Sequence, residues 1–229
     1  MRLSTSLLVA ASMFLAASVG WAMQSGPSQM PSGAGQMGQM RSPEERAALA
    51  YNSGVEDMKK ADEYEVAAAK ETDTKAQEKA HRKAHYAYLS ARNEFQDATR
   101  LAPNLPEAWN NLGYTQRRLG SYDAALAAYE RALALRPGFP EALEYRGEAY
   151  LGLNRIADAK QVYLDLFASN RALSDQFMTA IKRYIDDHRK SGAPDGATLD
   201  EFATWVQERS QIAAQTAALT REGTAASWQ

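Results

Sequence analysis

A chain of 229 residues, 45% hydrophobic and 24% charged, is long enough for a helical domain with its own core. Lys and Arg number 26 against 28 Asp and Glu, so the basic surplus that a binder of phosphate backbone gathers on one face is missing, which argues against nucleic acid. There is no cysteine, which excludes disulfides, thiolate metal sites and a cysteine-linked lipid anchor.

Arg2 precedes an uncharged apolar run, Leu7 to Ala17, and then Gly20-Trp21-Ala22, with small residues at both cleavage-determining positions. This predicts a signal peptide over residues 1–22, cleaved after Ala22, and a periplasmic mature chain. The alternative is an uncleaved membrane anchor, since Leu3 to Ala22 is uncharged over about the length that spans a bilayer. Residues 23–42 are rich in Gly, Ser, Pro, Gln and Met without period, and read as a disordered linker. Thioethers at Met23, Met30, Met37 and Met40 are soft copper(I) ligands, but only the last two are close in sequence and no His accompanies them, so no metal is expected there.

Ser42-Pro43-Glu44-Glu45 predicts the first helix: Ser caps, Pro takes the first helical position and Glu45 completes a capping box. Helical spacing of Leu49, Val55, Met58 and Val66 carries it to Lys70, and a second helix over 75–101 ends before Pro103, making one long hairpin over 43–104. Standard-length helices follow near 106–119, 122–136, 140–153 and 156–169, with turns at Gly120 and Asn154. Ser174 is expected to cap a helix carrying Phe177, Ile181, Tyr184 and Ile185. Thr198 with Glu201 is expected to open a last helix to about Leu219, and 221–229 to form a disordered tail.

Residues 105–138 and 139–172 superimpose at an offset of 34, with Pro106/Pro140, Ala108/Ala142, Gly113/Gly147, Ala125/Ala159 and Tyr129/Tyr163 identical. Read backwards, the offset places Tyr88, Ala91, Phe95 and Ala98 under Tyr122, Ala125, Tyr129 and Ala132, so a third unit precedes these two. A period of this size marks stacked helical hairpins. Gly54 to Gly113 spans 59 residues, 25 more than one period, so the first hairpin is enlarged. Residues 173–220 then form the divergent end cap that an open stack requires.

Trp109-x-x-Leu112-Gly113 followed by Gly120-x-Tyr122, Ala125, Tyr129, Ala132 and Pro137 resembles the tetratricopeptide repeat. The copy with Leu143, Gly147, Tyr150, Ala159 and Tyr163 resembles it too, with Arg146 and Arg171 in place of the usual Leu and closing Pro. The resemblance implies an all-α, right-handed α-solenoid whose first helices line a concave groove for extended or helical peptides. Carried across residue by residue, that groove comprises Tyr51, Asn52, Val55 and Lys59, then Asn110, Tyr114, Arg117 and Arg118, then Glu144, Tyr145 and Glu148. These positions are expected to face outward from the packing seams, either as a binding surface rich in Tyr and Arg or as a solvated charged face. The carboxylate clamp of some family members is not expected, because only Asn111 fits it and Glu141 and Tyr145 stand where basic residues belong.

His81 and His85, at i and i+4, lack third and fourth ligands, and Arg82 and Lys83 adjoin them, so no metal or other cofactor is expected. Asp186, Asp187 and His188 are adjacent on a helix and do not converge. The expectation is a non-catalytic scaffold binding another protein or peptide in the bacterial envelope. Self-association through the long hairpin, or a role as regulatory subunit of an envelope enzyme, are the alternatives.

Overall fold

Ser42 opens the first helix as a capping box: its hydroxyl accepts the Glu45 amide at 3.1 Å and the Glu45 carboxylate accepts the Ser42 amide at 2.9 Å. The computed structural model describes residues 41–191 and 196–226, with side chains as far as residue 218. The expected signal peptide, nearly all of the linker with its methionines, and residues 192–195 lie outside the described residues.

Eight helices occupy the described residues: α1 (Pro43–Lys70), α2 (Thr74–Leu101), α3 (Pro106–Arg118), α4 (Tyr122–Leu135), α5 (Pro140–Gly152), α6 (Ile156–Ser169), α7 (Arg171–Ser191) and α8 (Gly196–Ala226). Asp73 caps α2, its carboxylate accepting the Ala76 amide at 2.8 Å. The turns after α3 and α5 are closed by Gly120 (φ 76°) and Asn154 (φ 56°), residues that tolerate left-handed backbone where the chain reverses.

Each helix pairs with the next in sequence, and α1 with α3, α3 with α5, and α5 with α7 also touch. The second helices α2, α4 and α6 make no comparable contact with one another. The stack is therefore tighter along α1, α3, α5 and α7, which form its inner row.

Small residues set the spacing within hairpins. Ala50 of α1 packs with Ala98 of α2 and Ala61 with Ala84, and Phe95 lies on Gly54 so closely that a Cβ there would stand 2.8 Å from its ring. Tyr129 occupies the same seat on Gly113, at 2.6 Å. In the third unit the identity Tyr129/Tyr163 does not carry the contact over. The atoms nearest Gly147 belong to Phe177 of α7 and Val162 of α6, at 2.5 and 2.9 Å, while the Tyr163 ring meets Trp205 of α8 edge-on at 5.3 Å.

The cap departs from the expected boundaries. Ser174 does not cap α7: the Asn170 side chain accepts the Leu173 amide at 3.2 Å, the helix begins at Arg171, and the buried Ser174 hydroxyl donates back to the Arg171 carbonyl at 2.7 Å. With Arg171 where a proline would stand, one residue separates α6 from α7. α8 begins at Gly196, ahead of Thr198, and runs through Ala226 instead of ending near Leu219. Phe202, Trp205 and Val206 close its near side over Tyr163, Leu166 and Ile181.

Candidate functional site on the inner row

The helices α1, α3 and α5 bring most of the expected groove residues into one continuous seam. At its centre, Arg117 forms an ion pair with Glu148 of the next unit, and its guanidinium stands 5.2 Å from the ring centres of both Tyr114 and Tyr145. The two tyrosines face each other at 5.3 Å. Burial alone would disfavour the guanidinium charge, but the Glu148 carboxylate beside it holds the Arg117 pKa above its usual value.

Toward α1, Asp62 accepts from the Tyr88 hydroxyl and, at 2.7 Å, from the Tyr114 hydroxyl. Arg118 reaches the same Asp62 and Glu65, both at 3.6 Å, and lies 4.9 Å from the centre of the Tyr88 ring. Burial, with the Asp62 carboxylate adding to it, pushes the Tyr114 hydroxyl up to about 12. Asp62, Glu65 and Tyr88 were not among the expected site residues. Acids three apart on the lengthened α1, opposite an Arg-Arg pair at the end of α3, were the available signal.

Three expected positions do not face outward. Asn110 is 3% exposed and Glu144 9% exposed, and the Arg117 side chain, 13% exposed, is largely covered by its stacking and ion pair. Their hairpins lie close enough that the inner-row side chains fill the space between first helices. The expectation of a solvated charged face fails at these three positions for the same reason.

Two acceptors in this seam lack partners. The Asn110 amide donates to Asn111 at 3.3 Å, while the Asn110 Oδ1 atom is buried without a donor. Glu144 accepts no hydrogen bond among the described residues. Its pKa is raised to about 7, by burial first, then by Glu148 and Glu141, with Arg117 working in the opposite direction.

The α1 end of the row is open. Asn52 and Lys59 are exposed, Val55 is half-buried, and Tyr51 is half-buried against Phe95, its hydroxyl accepting the Asn111 amide at 3.4 Å. That contact uses the one residue that had fitted a carboxylate clamp. Beside the Arg118 contact, His81 of α2 meets Glu65 at 3.4 Å, and no group of three His, Asp or Glu able to hold a metal ion occurs among the described residues.

Comparison with known proteins now places the central hairpin. Residues 106–139 match the tetratricopeptide repeat. The matched segment covers α3, α4 and the turn before α5, so Gly113, Tyr129 and Arg117 lie within it, whereas Tyr145, Glu148 and Asp62 of the seam lie outside. Uncharacterized protein ycf37 of Guillardia theta is 33% identical over 99 residues, 42% of this chain and 53% of that protein. The chain thus spans about half the length of this curated relative. Among solved structures, the TPR2B-domain:pHsp70-complex of yeast Sti1 is similar with 15% identity and a TM-score of 0.41, over 72% of this chain and 98% of that one.

Proposed function

We propose that the chain is a non-catalytic adaptor of the bacterial cell envelope, which holds a partner protein or peptide against the inner row of its helical stack. The observation that carries this reading is the division of labour among side chains. Apolar residues of the hairpins are consumed by packing, whereas α1, α3 and α5 concentrate tyrosines, paired charges, the unpartnered Asn110 oxygen and the Glu144 carboxylate along one row. Tyrosine and arginine are the types that recur at interface hot spots. The non-catalytic part rests on the use to which the charges are put: Arg117 is held by Glu148, and Arg118 by Asp62 and Glu65. The envelope location rests on residues 1–22 alone.

Arg117 belongs to a half-buried pair that joins α3 to α5, so the informative substitutions are at the open end. Asn52→Glu with Lys59→Glu is expected to lower partner recovery in a pull-down roughly tenfold, the effect of losing about 1.4 kcal/mol, with the helical signal unchanged. Recovery equal to wild type would remove the inner row from the account. A second reading, self-association through the long hairpin, is favoured by Tyr86, 68% exposed on α2 beside His85 at a shallow cavity of about 350 Å³. It predicts recovery of a second copy of the chain, indifferent to both substitutions.

A further inference from the structure

Around Glu144 the seam between α3 and α5 sets two further carboxylates, Glu148 and Glu141, against one guanidinium, Arg117. Glu141, Glu144 and Glu148 follow one another on α5, and the cation that acts on Glu144, Arg117, is already paired with Glu148. Tyr145, beside Glu144 on the same helix, spends its ring on Tyr114 and Arg117. Asn110 and Glu144 hold the same register position in successive units, on helices that touch; the Asn110 Oδ1 atom is buried and unpartnered, while the Glu144 residue is 9% exposed and its carboxylate, still touched by solvent, accepts no hydrogen bond among the described residues. Buried polar atoms are nearly always hydrogen-bonded in folded proteins, because leaving one unpaired forfeits its hydration without replacement. A carboxylate costs most to leave in that state, and it is satisfied best by a donor that also carries positive charge.

We propose that Glu144, with the Asn110 carbonyl oxygen in equivalent register on α3, is the receptor for a lysine or arginine side chain of the bound partner segment. This rests on the inner row being the partner surface and specifies what that surface selects. Charge complementarity decides the occupant: the groups acting on Glu144 are two carboxylates and one guanidinium, so an acidic side chain would meet Glu141, Glu144 and Glu148 together. A neutral donor would satisfy the hydrogen bonds and leave the excess charge.

Random twelve-residue peptides displayed on phage and selected on the immobilised full chain test this. Selected peptides are then titrated against wild type and Glu144→Gln, and placed by photocrosslinking and mass spectrometry. The expected result is a Lys or Arg at one fixed position of the peptides, adducts on α1, α3 or α5, and at least tenfold weaker binding to Glu144→Gln. Adducts on those helices from peptides without a fixed cation, or with affinities that Glu144→Gln leaves unchanged, would overturn the cation receptor and leave the inner row as the partner surface. Adducts confined to other faces, or no selected peptide at all, would overturn both.

Discussion

Phe177→Ala is expected to destabilise the chain by about 3–5 kcal/mol, the range for removing a fully buried aromatic ring. Phe177 is wholly enclosed, lies on Gly147 of α5 and shares a cluster with Ile181, Leu166 and Phe202. It therefore joins three elements, the last repeat-like hairpin, α7 and α8. Stacked hairpins draw their stability from neighbouring interfaces, so a hole at this junction loosens the cap from the last hairpin as well as emptying the core. Urea unfolding followed by far-UV circular dichroism measures it: the midpoint should fall sharply for Phe177→Ala and little for Leu164→Ala, whose side chain is 38% exposed. Equal midpoints for the two variants would show that α7 does not seal the stack through this ring.

The second large effect is tied to pH. A carboxyl whose pKa is raised by folding binds its proton more tightly in the folded chain than in the unfolded one. The stability it contributes is fully present below the unfolded value near 4.5 and is lost as pH rises through about 7. Glu144→Gln, which cannot ionise, should match wild type at pH 4. It should be more stable by about 2 kcal/mol at pH 8.5, taking 1.36 kcal/mol per pKa unit and discounting for the solvent the carboxyl still meets. Thermal melts at the two pH values check this. A stability difference that stays constant with pH would mean that Glu144 is not held in the disfavoured state described above. A cation bound at Glu144 would reverse the penalty, so saturating basic peptide should shrink the difference at pH 8.5.

Much of this architecture can be read from residues whose role is local. The Ser42 capping box, the left-handed Gly120 and Asn154, and the small residues under Phe95 and Tyr129 act within one hairpin, where spacing along the chain translates directly into contact. The readings that failed involve distances between hairpins. Asn110, Glu144 and Arg117 occupy groove positions, yet α3 and α5 lie close enough to bury the first two and to cover most of the third. The ties from Arg118 to Asp62 and Glu65 depend on how far the lengthened α1 projects past α3, which no repeat period encodes. At the cap, two residues of one type at equivalent positions do different work: Tyr129 fills its own hairpin, whereas Tyr163 is drawn to Trp205 because Phe177 takes the place on Gly147. Ser174 lost the cap of α7 to Asn170 for a similarly simple reason: the helix starts earlier than a proline at 171 would have suggested.

The most direct test of the inner row as the binding surface is site-specific photocrosslinking in cells, with the reactive side chain placed at Asn52 on α1 or at Glu130 on the outer helix α4, both exposed. The account predicts discrete partner adducts from position 52 and none from position 130. Adducts from 130 with none from 52 would contradict it.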